Sequence, residues 1–282
     1  MKKPTFSGHE SFQCKTQWLK RGYDFVSNGN RFNDEDAVLK LGVGKNMVSS
    51  IKHWLKAFGL YAQDSSLTEI ADFIFNSSTG KDPYIEDVAT LWLLHYYLIR
   101  TDYASIYPIV FADFHKYRNE FERDHLQNYV RRLCFENGYQ YLYNENTIRK
   151  DINVLLQNYI EPESGNYEDY SALLLDLNIV KKVSKNTYCF NGFSHTSITP
   201  EVFLFAILSE MDSMSVSFDF LLDIALAFCL TSSDVLNLIR QICDKYPKEI
   251  IFSDVAGIKQ MQFKTKLAKF EVLSTYYDSR SL

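Results

Sequence analysis

Two apolar-periodic segments separated by a glycine turn form the sharpest pattern in the chain. The first predicted helix uses Asn33 as its cap and continues through an acidic first turn to residue 41. After Gly42-Val43-Gly44, a second helix is predicted over residues 45–58, where apolar side chains recur on one stripe. Gly59 is placed to end this helix, and the strand-like Leu60-Tyr61 follows. Two helices joined by a Gly-containing turn predict a helix-turn-helix, extended toward a winged form.

The same style of pattern recurs twice further along the chain. A helix is predicted over residues 148–159, capped at Asn146-Thr147, and residues 179–190 then predict a β-hairpin around a polar turn. Helices followed by strand-like segments recur over residues 202–263. No internal sequence period aligns these segments, so the repetition is architectural. The predicted fold class is therefore mainly α with small β-hairpin wings, arranged as tandem winged-helix-like helix-turn-helix units.

Two domains are expected from a length of 282 residues. Residues 1–140 are predicted to form an N-terminal helix-turn-helix domain with a helical extension, and residues 141–282 to form the C-terminal winged-helix-like units. The boundary is placed near residue 140 because Asn137-Gly138 and Asn144 interrupt the helical pattern there. Within the first domain, a helix apolar nearly all round is predicted from Pro83, at the first helical position, to Ile99, and its His95 is expected to be a satisfied core histidine rather than a ligand.

Charge is distributed unevenly along the chain. The net charge is −5, yet residues 1–66 hold 10 Lys and Arg against 6 Asp and Glu. A protein that coats nucleic acid is usually basic throughout, so any nucleic-acid contact is expected on a local face. Five scattered cysteines without a Cys-x-x-Cys pair, no signal-peptide core and no apolar run long enough to cross a membrane predict a cytoplasmic protein without membrane contact.

The polar face of the second helix carries the main functional hypothesis. Between residues 45 and 58 there is no Asp or Glu, and basic and amide side chains lie opposite the apolar stripe. Lysines neutralise DNA phosphates, while Ser, Asn and His hydrogen-bond phosphates or base edges. We predict double-stranded DNA binding through Lys45, Asn46, Ser49, Lys52, His53 and Lys56. A plain solvated or protein-facing helix is an equally open alternative.

A second, weaker candidate surface starts at residue 146. The sequence Asn146-Thr147-Ile148-Arg149-Lys150-Asp151 resembles the start of recognition helices in bacterial winged-helix repressors of the DeoR type. Arg149 and Lys150 are therefore added to the predicted DNA-binding residues, with Lys181, Lys182 and Lys185 as a basic wing.

Catalytic and metal-binding patterns are weak throughout the chain. His9, Glu10 and Cys14 suggest a metal or a nucleophile with its base, but the spacing matches no usual zinc motif, and a turn around Gly8 is the expected structure. Gly42-Val43-Gly44-Lys45 lacks the phosphate-loop spacing, and neither a nucleophile elbow nor a dinucleotide fingerprint is present. No catalytic residue, metal or cofactor is predicted, although an active site assembled from distant residues stays open.

Several longer motifs resemble one bacterial family. They are Phe6-Ser7-Gly8-His9-Glu10-Ser11-Phe12, the stretches 32–48 and 54–60, Asp82-Pro83-Tyr84-Ile85-Glu86-Asp87 with residues 91–96, and the late Ala256-Gly257 with Tyr276-Tyr277. Together they resemble the domain of unknown function 4007 family along essentially the whole chain. Members of this family are similar to proteins encoded beside bacterial DNA-modification and phage-defence genes. Those neighbouring genes include ones for sulfur-transfer enzymes of DNA phosphorothioation. The resemblance therefore implies a role in such a system. It implies no catalytic residue.

The sequence thus predicts a non-enzymatic DNA-binding accessory or regulatory protein of such a system, with double-stranded DNA and DNA-modification proteins as its partners. A winged-helix adaptor that holds protein partners without touching DNA is the alternative, favoured by the acidic residues 67–146 and the 15% aromatic content. A metal-dependent nuclease is a third and less supported hypothesis.

Overall fold

Helices make up most of the structure, a computed structural model that describes residues 3–165, 171–190, 197–255 and 257–280. Two small three-stranded antiparallel sheets accompany them. The prediction of a mainly α fold with small β elements is confirmed at this level. The chain divides into two units, residues 1–191 and 192–282.

The first half of unit 1 is helical. Its helices are α1 (Trp18–Ser27), α2 (Ala37–Leu41), α3 (Lys45–Ala57), α4 (Glu69–Phe75) and α5 (Val88–Arg100). Helix α2 is shorter than predicted, because Asn33 does not cap it: the Asp34 carboxylate instead accepts the Arg31 N–H at 2.8 Å and folds residues 31–36 into turns. The predicted strand at Leu60-Tyr61 is reduced to a single bridge between Tyr61 and Leu67.

The second half of unit 1 combines helices with a sheet. Helix α6 (Ile106–Pro108) continues into a π-helical turn and a 3-10 turn that ends at Lys116. The later elements are β1 (Glu120–Glu122), α7 (Arg123–Glu136), α8 (Glu145–Tyr159), β2 (Val180–Lys182) and β3 (Thr187–Phe190). The strand order is β1-β3-β2, with Phe121 opposite Tyr188. The β2–β3 hairpin is present as the sequence pattern predicts, whereas β1 was not predicted.

Helix α5 lies at the centre of unit 1. Ten of its thirteen residues are buried, and the Asp87 carboxylate caps it by accepting the Ala89 N–H at 2.9 Å. His95 is fully buried, and its Nδ1 lies 2.8 Å from the Tyr159 hydroxyl of α8. The expectation of a satisfied core histidine is confirmed. This contact joins α5 to the helix that carries Arg149 and Lys150.

Unit 2 repeats the element order of the second half of unit 1. Its elements are α9 (Pro200–Glu210), β4 (Ser215–Ser217), α10 (Phe218–Ala227), α11 (Ser232–Lys245), β5 (Ile250–Val255), β6 (Ile258–Phe263) and α12 (Lys269–Arg280). The strand order β4-β6-β5 has the same pattern as β1-β3-β2. In both cases a helix, a strand, two helices and two strands follow one another, and the first strand pairs with the last.

The division between units differs from the predicted boundary near residue 140. Residues 137–144 form the connection between α7 and α8, with a short 3-10 helix (Gln140–Leu142), and the two helices pack on each other. In addition, β1 pairs with β3, so the sheet closes across the predicted boundary. The break in helical periodicity near residue 140 therefore corresponds to a connection between two helices of unit 1 and not to a boundary between units.

Candidate nucleic-acid interface

Helix α3 is held in place by its contact with α1 and by the glycine turn before it. Gly42 has a left-handed φ of +62° and its N–H donates to the Val38 carbonyl at 2.9 Å, which closes α2 and redirects the chain. On α1, Gly22 allows close approach of the two helices, because a Cβ there would lie 2.6 Å from Leu55 Cδ1 of α3. Ile51, Trp54 and Leu55 fill the core from the inner side of α3.

The outer side of α3 is polar and carries no carboxylate. Lys45, Asn46 and Ser49 are exposed, and no Asp or Glu occurs between residues 45 and 57. Lys52 and Lys56 are half-buried. Their ammonium groups contact neutral amides: Lys52 Nζ lies 3.1 Å from Asn33 Oδ1, and Lys56 Nζ lies 3.3 Å from Gln63 Oε1. Neither hydrogen bond neutralises a lysine charge, so the outer side of α3 remains positive.

Lys56 is the most constrained cation of this group. Its ammonium lies 5.8 Å from the ring centre of Tyr61 and 6.0 Å from that of Tyr103. Partial burial, and next the charge of Lys52, lower the pKa of Lys56. Among the α3 lysines, Lys45 and Lys52 are consequently better placed than Lys56 to reach an external phosphate.

His53 does not belong to the exposed face, so the expectation that it lies with the polar side chains opposite the apolar stripe is wrong. It is 5% exposed, with Trp54 and Tyr103 at ring-centre distances of 5.2 and 5.3 Å. A Cβ on Gly8 would lie 2.6 Å from its Nδ1, so the N-terminal segment covers it closely. Burial, and secondly His9, lower the pKa of His53 to about 3. The imidazole is therefore covered and is not presented on the outer side of α3.

The segment around His9 is a turn, with both ring nitrogens engaged. Phe12 N–H donates to the His9 carbonyl at 2.8 Å, and Ser7, Gly8, Glu10 and Ser11 have positive φ angles. His9 Nδ1 accepts the Ser11 N–H at 3.0 Å, so the proton lies on Nε2, which donates to the buried Asp151 carboxylate at 2.9 Å. An imidazole without a free lone pair is a poor general base. This geometry assigns the turn a structural role.

Helix α8 presents the second predicted surface. Its cap is Asn144, whose side-chain Oδ1 accepts the Thr147 N–H at 3.0 Å; Asn146, the predicted cap, instead lies exposed in the first turn. Arg149 and Lys150 are exposed as predicted. Asn153 and Gln157 continue the same face, at four and eight residues after Arg149. Sequence reasoning missed these two amides, although the helical spacing from Arg149 would have found them.

A groove borders this face of α8, with a volume of about 460 Å³. We call it the α8 groove and define it by Arg123, Asn153, Gln157, Glu161, Glu163, Lys182 and Tyr188. Arg123 Nε donates to Asn153 Oδ1 at 3.1 Å, and its guanidinium carbon lies 5.0 Å from the Tyr188 ring centre. Lys182, from the predicted basic wing, pairs with Glu163 at 2.7 Å. Their hydrogen bond and charge contact lower the pKa of Glu163.

Within the described ranges the chain has neither a metal-binding cluster nor a single membrane-crossing helix. No group of three or more His, Cys, Asp or Glu side chains there is arranged to hold a metal ion. No single helix there has the length and hydropathy needed to cross a membrane, and only the bent pair α10 and α11, at 108°, passes that test jointly.

Comparisons with known proteins identify a family and a shared fold. The family model described as "Protein of unknown function (DUF4007)" matches residues 6–277. A crystal structure of SspB has a TM-score of 0.81 and 24% identity, covering 97% of this chain and 88% of that one. A magnesium ion-bound SspB crystal structure has the same TM-score and coverage at 23% identity. No curated protein matches the chain. At this identity the structural likeness establishes the fold alone.

Proposed function

The chain belongs to the DUF4007 family, and we propose that it is a non-enzymatic DNA-binding accessory or regulatory protein of a bacterial DNA-modification or phage-defence system. The carboxylate-free outer side of α3, which follows the Gly42–Gly44 turn, is the observation that carries this proposal. An ordinary exposed helix face mixes both signs of charge. The phosphorothioation context comes from the family resemblance described for the sequence.

The repeated order of helices and strands supports the proposal. In both units, a helix, a strand, two helices and a two-stranded hairpin occur in that order, and the first strand pairs with the last. We infer that these are winged-helix units, in which the second helix of the pair is placed for groove contact and the hairpin is the wing. In unit 1 that helix is α8, with exposed Arg149 and Lys150.

Phosphate and base contacts divide between side-chain types on α3. Lys45 and Lys52 would neutralise phosphates, with Lys56 in a lesser role. Asn46 and Ser49 are short, exposed and near the start of the helix, where hydrogen bonds to base edges or phosphates form. His53 has no part in this interface.

The test is fluorescence anisotropy of a labelled random-sequence duplex over a salt series. Changing Lys45→Glu together with Lys52→Glu removes two phosphate contacts, so we expect weaker binding and a salt slope smaller by about two units. Lys248→Glu, on an exposed lysine of unit 2, is the matched charge-reversal control and should change neither value. Equal affinity and slope for wild type and the α3 variant would overturn the proposal.

The adaptor alternative also has an observation in its favour. At the tip of the β5–β6 hairpin, Val255 is 70% exposed and Ile258 is 65% exposed. An apolar hairpin tip suits protein contact better than a phosphate backbone. Stable co-purification with a DNA-modification protein, together with no duplex binding at low salt, would replace the DNA proposal with this one.

A further inference from the structure

The α8 groove contains a cation whose geometry is fixed before any ligand arrives. Arg123 is held by its Nε–H bond to Asn153 and by its position over the Tyr188 ring. Among the described residues, none accepts a hydrogen bond from its two Nη groups. A guanidinium that is oriented in this way loses little freedom when it binds an oxyanion, and its planar donors match the oxygens of a phosphate.

The second cation of the groove is already paired with a carboxylate. Lys182 is 27% exposed and contacts Glu163, which is 78% exposed, at 2.7 Å. Glu161 lines the groove as well. The positive charges of Arg123 and Lys182 are therefore balanced by the two carboxylates, and the groove has no net formal charge. Exposed ion pairs of this kind are weak, and a competing oxyanion displaces the carboxylate at little cost.

The groove also continues the exposed face of α8. From Arg149 to Gln157 the helix rises by about 12 Å. That length corresponds to roughly three phosphates of one DNA strand, at 3.4 Å of axial rise each. A DNA strand that follows this face of α8 from Arg149 passes Asn153, which holds Arg123 at the groove.

We infer that the α8 groove binds phosphates of the DNA backbone through Arg123 and Lys182, and that Glu163 competes with a phosphate for Lys182. The inference deepens the proposed function and rests on it. Glu163 thus weakens DNA binding by the wild-type protein, and its removal makes the groove a net cationic site. Lys182 contributes fully to DNA binding only when the Glu163 carboxylate has left it.

The test uses Glu163→Gln in the full-length protein and the same labelled duplex. Because Glu163 is exposed, the substitution leaves the fold intact, which a thermal unfolding curve checks. We expect affinity at 0.1 M salt to rise by up to about fivefold, the range set by exposed ion pairs. The salt slope should steepen by about one unit, for the added phosphate contact. Adding Arg123→Gln in the Glu163→Gln background should lower the slope again by about one unit.

Glu136→Gln is the matched control, since Glu136 is an exposed glutamate 3.8 Å from Arg132 on α7, outside the groove. It should leave affinity and slope unchanged. If Glu163→Gln behaves like this control while the α3 variant still weakens binding, the inference is overturned and the α3 proposal stands. If Glu163→Gln strengthens binding while the α3 variant has no effect, the groove is supported and α3 is not the interface. Absence of duplex binding by every variant overturns both.

Discussion

The side chains of the predicted DNA-binding set differ in solvent exposure. Lys45, Asn46 and Ser49 are exposed as the helical periodicity of 45–58 predicts. His53 is buried because Gly8 and Tyr103, about 45 and 50 residues away in sequence, close over that edge of the helix. Helical periodicity indicates which side of a helix faces the core. It carries no information about a segment, distant in sequence, that covers the edge of the polar face.

Burial of His53 makes stability depend on pH. The pKa of His53 is about 3 in the folded protein and 6.5 in its ordinary state, so between these values the unfolded chain binds a proton that the folded one does not. Stability is therefore full above pH 6.5 and falls toward pH 3, by about 1 kcal/mol per pH unit. Urea unfolding at pH 7, 6, 5 and 4.5 should show a shallower decline for His53→Gln than for wild type. Parallel declines would contradict the assignment of a buried neutral imidazole.

Elements defined by local signals were predicted well. The sequence predicts α3 over 45–58 with Gly59 after it; the helix spans Lys45–Ala57, and Gly59 has a φ of +69°. The hairpin of β2 and β3 also follows its alternating pattern. Strand β1 escaped prediction because it has only three residues and draws its hydrogen bonds from a strand more than 60 residues later.

The packing of α1 on α3 gives a prediction about an element pair. Gly22→Val adds carbons where a Cβ already lies 2.6 Å from Leu55 Cδ1 and 2.9 Å from Ile51 Cγ2, both fully buried residues. Overpacking of this kind costs about 1–3 kcal/mol of the free energy of unfolding. Urea unfolding should show this loss for Gly22→Val. Ser49→Val introduces the same side chain at an exposed helix position and should change the free energy of unfolding by only about 0.5 kcal/mol. Equal losses of unfolding free energy in the two variants would contradict the assignment of Gly22 as the determinant of the α1–α3 contact.

At the scale of the whole molecule, the charge pattern and the architecture fit together. The basic residues 1–66 belong to unit 1, and so do the exposed cations of α8 and of the β2–β3 hairpin. Unit 2 repeats the topology with an apolar hairpin tip instead of a basic one. The two units share a topology, but unit 1 presents cations where unit 2 presents apolar side chains. We therefore predict that unit 1 contacts DNA and that unit 2 contacts protein.

Photocrosslinking from α3 tests the central claim most directly. A photoreactive phenylalanine at position 49, in place of exposed Ser49, should crosslink a labelled duplex on irradiation, and excess unlabelled duplex should abolish the product. The same residue at position 237, in place of exposed Asn237 on α11, is the matched control and should give no product. High salt should suppress crosslinking at position 49, because lysine–phosphate contacts weaken with ionic strength. A protein that binds the duplex yet crosslinks only from position 237, or from neither position, would contradict DNA binding by α3.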